Sequence, residues 1–179
     1  MGKYAVVVID MLNDFVTGKL KCDRAQRIIP NIKRLSAAAR KTGNLVVYVG
    51  DAHLPNDVEF KVWGPHALRG TKEAETIPEL APQKEDVVLE KRQYSAFGGT
   101  DLNHILRNAG VENVIITGLH TNICDRHTSA DAFFNGYNVV VPDDCTEAFT
   151  DKDHLEGLEY LKLCYKAEVL STDELIKKL

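Results

Sequence analysis

Short β-branched runs alternate with helical patterns along almost the whole chain. The first run, residues 4–9, is nearly continuous in apolar residues, as expected of a strand that is covered on both faces. Residues 24–41 follow with apolar side chains at helical spacing, and Gly43 ends that pattern. Such alternation is typical of a parallel sheet with helices packed on both faces. We therefore predict an α/β fold with three layers, α/β/α, and a mainly parallel sheet.

The pattern predicts six strands and five helices. We expect the strands at 4–9, 45–49, 87–89, 114–117, 137–141 and 167–170, and the helices at 24–41, 100–109, 122–135, 151–163 and 172–179. A chain of 179 residues without a repeat or a linker fits one domain, residues 1–179. The stretch 51–70 is long for a connection within such a domain, which favours a functional loop.

The composition excludes several classes of partner. The net charge of −4 leaves no basic surface for nucleic-acid phosphates. No apolar run approaches the roughly 20 residues that a membrane span needs, and the first strand is too short for a signal peptide. The four cysteines, Cys22, Cys124, Cys145 and Cys164, have no CxxC or zinc-finger spacing. We therefore expect a cytoplasmic protein with reduced cysteines that binds neither nucleic acid nor membrane.

Three chemically active side chains follow the predicted strands. Asp10 ends the first strand, Lys91 ends the third, and Cys124 follows the fourth in the first turn of a helix. Ligand sites of parallel sheets lie beyond the carboxyl ends of the strands, so these groups should converge. The helix dipole and a nearby Lys would both favour a thiolate, and an Asp can serve as its base. This predicts nucleophilic catalysis suited to acyl transfer.

Each of these residues also has an ordinary explanation. An Asp at a strand end is often a turn or cap residue, a Lys there is often solvated, and a helical Cys is often core filling. The spacing alone leaves both interpretations open. A nucleotide-binding Rossmann domain is disfavoured, because no GxGxxG motif follows the first strand.

Metal-binding side chains are concentrated in the predicted loop after the second strand. They are two histidines and two carboxylates: Asp51, His53, Glu59 and His66. Such a set with open coordination positions suits zinc or another divalent ion. Loop histidines without a metal are the alternative, and the residue types alone do not decide between the two.

The turn at 118–121 precedes the cysteine. Backbone N–H groups of this turn could form an oxyanion hole beside the thiol. The alternative interpretation of His120 is that it is a loop residue that fills space. His127 lies one helical turn after Cys124 and is interpreted as structural. His104 and His154 fall on predicted surface helices.

Taken together, the motifs resemble those of the isochorismatase-like cysteine hydrolases, a superfamily that includes nicotinamidases, N-carbamoylsarcosine amidases and isochorismatases. The resemblance runs nearly end to end, through residues 8–15, 91–97, 100–102, 117–124 and 128–133. It implies the isochorismatase-like (Rossmann-like) fold and an Asp-Lys-Cys triad on Asp10, Lys91 and Cys124. It also implies a cis peptide between Leu119 and His120, with the backbone N–H groups of His120 and Cys124 as the oxyanion hole.

The resemblance also implies a metal ion. Nicotinamidases of this superfamily hold a divalent ion beside the thiol, and the ion binds the pyridine nitrogen of the substrate. Their pattern of Asp-x-His, a Glu and a later His matches Asp51, His53, Glu59 and His66. We therefore expect one divalent metal ion, with zinc as the first choice.

The implied function is that of a cysteine amidohydrolase. It would cleave the C–N bond of a small amide through a thioester and release ammonia, with nicotinamide as the leading substrate. Phe15, Trp63 and Tyr94 would be walls for a flat aromatic amide, although aromatic side chains are also ordinary core filling. Two positions depart from the pattern: His120 stands where a small or apolar residue is usual, and Leu12 where many nicotinamidases have Gln.

Three alternatives remain open. One is an amidase for ureido substrates such as N-carbamoylsarcosine, and another is a non-catalytic binding protein with the same fold. The third is an isochorismatase proper, an ether hydrolase that needs neither metal nor thioester. The resemblance further leads us to expect a homo-oligomer, either a dimer or a tetramer.

Overall fold

A computed structural model describes residues 2–179 and contains one sheet of seven strands in that range. The strands are β1 Lys3–Ile9, β2 Leu45–Asp51, β3 Val87–Lys91, β4 Val111–Leu119, β5 Asn138–Pro142, β6 Thr146–Glu147 and β7 Glu168–Leu170. Their order is β3-β2-β1-β4-β5-β7, with β6 paired to β4, and every pairing is parallel. The predicted α/β class is confirmed. The count is one higher than predicted, because β6 has only two residues and so carries no periodicity.

Residues 2–179 contain seven α-helices. They are α1 Asn13–Val16, α2 Ile29–Lys41, α3 Phe60–Trp63, α4 Leu102–Asn108, α5 Cys124–Phe134, α6 Asp151–Tyr165 and α7 Thr172–Ile176. The predicted helix 24–41 is divided into a 3₁₀ turn, Ala25–Arg27, and α2. Pro30 lies in the first turn of α2, where a missing N–H group costs nothing. None of the helices in the described range has the length and apolarity of a membrane span.

Two apolar layers cover the two faces of the sheet. Val6 and Val8 of β1 face the layer formed with α2 and α7, whereas Ala5, Val7 and Ile9 face the layer formed with α4, α5 and α6. Successive side chains of a strand point to opposite faces, so both sets must be apolar when both faces are covered. This explains the continuous apolar run that β1 shows in the sequence.

The sheet has its topological switch point between β1 and β4. Strands β2 and β3 lie on one side of this pair, and β5 and β7 lie on the other. A crevice for ligands opens at the carboxyl ends of such a pair. The two strands approach each other closely there, because Gly118 has φ +115° and a Cβ atom on it would lie 1.9 Å from the Ile9 carbonyl oxygen.

The close approach at Gly118 gives a test of the fold. We expect Gly118→Ala to lower the free energy of unfolding by more than about 4 kcal/mol or to prevent folding, because its new methyl group would collide with backbone. The control is Gly43→Ala, where φ is +73° but no atom lies within 4 Å of the position that the methyl group would occupy. That variant should lose only about 1–2 kcal/mol from the left-handed backbone. Urea unfolding measures both, and equal losses would contradict the prediction.

Candidate active site

A buried lysine joins three polar side chains at the switch point. The Nζ atom of Lys91 lies 2.8 Å from Asp10 Oδ2, 2.6 Å from Asp51 Oδ1 and 3.7 Å from Cys124 Sγ. The Asp51 backbone N–H donates to Asp10 Oδ1 at 2.9 Å. All four residues are buried. The structure thus brings together the three residues that the sequence placed at strand ends, and adds Asp51 to them.

The sheet explains why these residues meet. Asp51 and Lys91 are the last residues of β2 and β3 and are partners in the register of that pair. Asp10 directly follows β1, and its left-handed φ of +53° turns the chain sharply after the strand. Cys124 is the first residue of α5, after the turn that follows β4. Parallel strands end at one edge, so four separate sequence positions become one cluster.

Burial and the ion pairs set the protonation of the carboxylates. Burial and the neighbouring Asp51 raise the pKa of Asp10 to about 6, against the opposing effect of Lys91. Burial alone would raise the pKa of Asp51, but Lys91 and His53 outweigh it and hold that pKa below its usual value. Burial acts against the charge of Lys91 too, yet Asp10 and Asp51 keep its pKa well above the ordinary value. At neutral pH the cluster therefore holds an ammonium ion between two carboxylates.

The thiol is protonated in this resting state. Burial raises the pKa of Cys124 well above its ordinary value, and the attraction of Lys91 does not compensate. The sequence-based expectation that the helix terminus and Lys91 would favour a thiolate is therefore wrong in its net direction. The pKa of a thiol rises in a dry environment, and the extent of drying depends on the tertiary packing.

Two backbone N–H groups in the turn that leads from β4 to the thiol have no hydrogen-bond partner within residues 2–179. The peptide between Leu119 and His120 is cis, as the resemblance implies. The carbonyl oxygen of His120 accepts the N–H groups of Ile123 and Asp125 at 2.8 and 3.2 Å. The N–H groups of His120 and Cys124, in contrast, donate no hydrogen bond to any residue in 2–179. They are thus free to stabilise an oxyanion.

Four potential metal ligands form a second cluster beside the first. One ligand atom from each residue lies within 4.8 Å of the others in the set Asp51, His53, Glu59 and His66. All four are buried, and the Nε2 atom of His53 has no hydrogen-bond partner in the described chain. Two imidazole nitrogens and two carboxylate oxygens suit zinc or a similar divalent ion. The residues present therefore fit the implied metal.

The surroundings of Glu59 disfavour its charged form. Burial and the negative Asp51 raise the pKa of Glu59 to about 7. Burial lowers the pKa of His66, so that imidazole is neutral and has a lone pair to offer at neutral pH. A cation bound beside this buried carboxylate would stabilise its charged form.

One cavity is lined by residues of both clusters. Its wall includes the three predicted aromatic residues, and Trp63 Nε1 donates to the Tyr94 hydroxyl at 3.0 Å. The other lining residues are Asp10, Leu20, Asp51, Glu59, His66, His120, Ile123, Cys124 and Phe149. Leu20, Ile123 and Phe149 were not predicted from the sequence as pocket residues, since no chemical feature distinguishes them there.

His120 forms part of the cavity wall. Its ring stacks on Phe149 with centroids 4.1 Å apart and an interplanar angle of 26°. Its Nε2 atom is buried without a partner in residues 2–179. Burial and the positive Lys91 lower the pKa of His120 to about 4, so the ring is neutral at physiological pH.

The remaining histidines are structural or exposed. His127 is exposed and contacts the Ile123 carbonyl oxygen through Nδ1 at 2.8 Å. His104 is exposed on α4, as predicted. The prediction of a surface position is wrong for His154, which is buried and shares a 2.9 Å hydrogen bond with the Thr121 hydroxyl. It faces the turn beside the thiol because α6 packs against α5.

The fold and the site define a class: α/β/α proteins with a buried thiol, lysine and carboxylates at the switch point of a parallel sheet. The model of the Isochorismatase domain family matches residues 4–174, and the chain belongs to that family. It is therefore a hydrolase of the isochorismatase family.

Solved structures of this family are similar over nearly the whole chain. The N-carbamoylsarcosine amidase of Thermoplasma acidophilum is 38% identical with a TM-score of 0.91, covering 96% of this chain and 97% of its own. The nicotinamidase of Bacillus subtilis is 32% identical with a TM-score of 0.89, covering 94% and 99%. The pyrazinamidase of Pyrococcus horikoshii, solved in complex with zinc, is 29% identical with a TM-score of 0.88, covering 94% and 99%.

Asp125, next to the thiol, gives a test of the site's electrostatics. Its side chain is fully buried and its two carboxylate oxygens have no hydrogen-bond partner in the described chain. Burial, with a contribution from Asp10, raises its pKa well above the ordinary value. The folded state therefore retains a proton that the unfolded state loses above about pH 4. Below that pH, Asp125 should not lower the free energy of unfolding. Above it, the loss of stability that Asp125 causes should grow as the pH rises.

We expect Asp125→Asn to be more stable than the natural protein at pH 8, with Tm higher by at least about 2 °C, and equal to it near pH 4. Thermal unfolding across that pH range measures the difference. Glu79→Gln, which removes an exposed carboxylate, should show no such trend. A lower Tm for Asp125→Asn at pH 8 would mean that Asp125 is ionised and stabilising.

Proposed function

We propose that the protein is a cysteine amidohydrolase that cleaves the C–N bond of a small, uncharged amide, with nicotinamide as the leading substrate. The contact of one buried ammonium group with Asp10, Asp51 and the Cys124 thiol carries this proposal. A nucleophile, a carboxylate base and a cation that serves both are the groups that thioester chemistry needs. Asp10, Lys91 and Cys124 are the proposed catalytic residues.

The reaction follows from the resting protonation. Asp10, ionised at neutral pH, accepts the thiol proton as the Cys124 sulfur attacks the amide carbon. The backbone N–H groups of His120 and Cys124 stabilise the negative oxygen of the tetrahedral intermediate. Asp10 then returns the proton to the leaving nitrogen, so ammonia departs and a thioester remains. Asp10 next takes a proton from the water that attacks the thioester, and it passes this proton to the departing Cys124 sulfur, so the carboxylic acid leaves and the thiol is restored.

Asp51, His53, Glu59 and His66 are proposed to hold one divalent ion, with zinc as the first choice. Such an ion supplies positive charge and open coordination positions for a heteroatom of the substrate. Phe15, Trp63 and Tyr94, which line the same cavity, are proposed as the walls that orient a flat ring.

The charges of the cavity favour an uncharged substrate. Asp10, Asp51 and Glu59 line it, and within the described chain no Lys or Arg does. Lys91, below the wall, is already paired with two of these carboxylates. A divalent ion and Lys91 together would only balance the three carboxylates. No surplus positive charge is left to attract a substrate that carries its own carboxylate.

The second candidate is a hydrolase of ureido substrates related to N-carbamoylsarcosine. The 38% identity and TM-score of 0.91 to the N-carbamoylsarcosine amidase of Thermoplasma acidophilum favour it. The cavity charge speaks against a ureido acid such as N-carbamoylsarcosine itself. A non-catalytic binding protein would have no need for the ammonium ion beside the thiol. Cytoplasmic location and assembly into a dimer or tetramer stay predictions.

An ammonia-release assay combined with metal analysis tests the proposal. We expect about one divalent ion per chain, turnover of nicotinamide and pyrazinamide, and less turnover of N-carbamoylsarcosine. Cys124→Ala should lose activity by about 10⁴-fold or more, whereas Cys164→Ala, at an exposed cysteine, should retain it. Undiminished ammonia release from Cys124→Ala would refute the nucleophile. A metal-free protein active on N-carbamoylsarcosine would favour the second candidate.

His120 is predicted to limit the size of the substrate. His120→Ala removes the stacked imidazole and so enlarges the cavity. We expect kcat/KM for quinoline-3-carboxamide, relative to that for nicotinamide, to rise by about 10-fold or more. His104→Ala, at an exposed position on α4, is the control and should leave the ratio unchanged. An unchanged ratio in His120→Ala would show that another wall limits substrate size.

A further inference from the structure

The two ring nitrogens of His53 have different surroundings. Nδ1 lies 3.0 Å from Asp57 Oδ2. Nε2 is buried without a hydrogen-bond partner in residues 2–179, at 3.5 Å from Asp51 Oδ2 and 3.8 Å from Glu59 Oε2. One side of the ring therefore meets a carboxylate outside the four-residue cluster, and the other side faces the cluster itself.

Asp57 is held firmly in that position. Its carboxylate accepts the Leu54 backbone N–H at 2.9 Å and the Arg92 Nε at 3.0 and 3.2 Å, and Arg92 Nη2 also contacts it. A guanidinium that meets a carboxylate with two nitrogens fixes its orientation. The Asp57 side chain is 6% exposed, while that of Arg92 is 48% exposed. A half-exposed guanidinium is thus paired with a buried carboxylate that contacts His53.

We infer that Asp57, oriented by Arg92, is a positioning residue that accepts the Nδ1 proton of His53 and so directs the Nε2 lone pair into the metal-ligand cluster. The inference rests on the proposed function, since it concerns the metal ion proposed there. A carboxylate on the remote nitrogen of a ligating imidazole fixes its tautomer and raises its basicity. Loss of such a partner typically weakens metal affinity 10–100-fold.

The position of Arg92 in the chain adds a second consequence. It directly follows Lys91 at the end of β3. Lys91 pairs with Asp10 beside the thiol, and Arg92 pairs with Asp57. The carbonyl oxygen of Lys91 also accepts the Ala52 N–H at 2.9 Å, which holds the start of the loop against β3. The loop that carries the metal ligands is therefore anchored to the strand that carries the lysine.

The test is the zinc affinity of the full-length protein, measured by competition with a chelator. We expect Asp57→Asn to raise the zinc dissociation constant by about 10–100-fold. Arg92→Gln should raise it less, because Asp57 keeps its contact with Leu54 N–H. Circular dichroism and Tm of the metal-free variants report on folding, so lost affinity is separated from lost structure.

Asp86→Asn provides a matched control. Asp86 accepts Arg40 Nε at 2.9 Å and Nη2 at 2.6 Å, and the backbone N–H of Gln83 at 2.7 Å. Asp86, like Asp57, therefore accepts hydrogen bonds from an arginine and from the backbone N–H three residues earlier in the chain. Unlike Asp57, it has no histidine contact. Its variant should lose comparable stability and keep the zinc affinity of the natural protein.

Two outcomes would overturn the inference alone: an unchanged zinc affinity in Asp57→Asn, or an equal loss in Asp57→Asn and Asp86→Asn. Absence of zinc binding by the natural protein would overturn it together with the proposed metal site. In that case amide turnover that depends on Cys124 would still support the thioester chemistry. The failure of the inference and the failure of the proposed function are therefore distinguishable.

Discussion

The rest of the site depends on the ion pairs that the buried ammonium group of Lys91 forms. An isolated charge at this depth would cost several kcal/mol to desolvate. The carboxylates of Asp10 and Asp51 offset that cost at 2.8 and 2.6 Å. Because its partners come from the ends of different strands, the ammonium ion also fixes the position of those ends relative to one another. Without it, two buried carboxylates would repel each other beside the thiol.

The same cluster explains how a thiol with a raised pKa can serve the proposed reaction. Transfer of its proton to Asp10 moves a charge from oxygen to sulfur but leaves the net charge of the cluster unchanged. Lys91 contacts both groups, at 2.8 and 3.7 Å, and so stabilises the charge at either end of the transfer. A low local dielectric penalises new charge and strengthens the attraction of the ammonium ion. A protonated resting thiol is thus compatible with a nucleophile that forms only during attack.

Much of this arrangement could be predicted from the sequence, because parallel strands place their ends at one edge. The apolar run of β1 indicated a doubly covered strand, and the positions of Asp10 and Lys91 at strand ends then predicted that they would lie close together. Properties that arise from packing could not be predicted. The direction of the Cys124 pKa shift depends on burial in the folded chain, and the position of His154 depends on how α6 meets α5. The pairing of Asp57 with Arg92 joins residues 35 positions apart that no motif connects.

Asp51 belongs to both clusters, and this couples them. Its Oδ1 atom accepts a hydrogen bond from Lys91, while its Oδ2 atom lies 3.5 Å from His53 Nε2 among the proposed metal ligands. A cation bound by that group would withdraw charge from the Oδ1 side, so Lys91 would act more strongly on Asp10 and Cys124. Coupling between two sites is reciprocal, so the charge state of the thiol cluster must also alter the affinity for the cation. The loop after β2 and the cluster of Asp10, Lys91 and Cys124 are therefore coupled electrostatically, although they belong to separate sequence motifs.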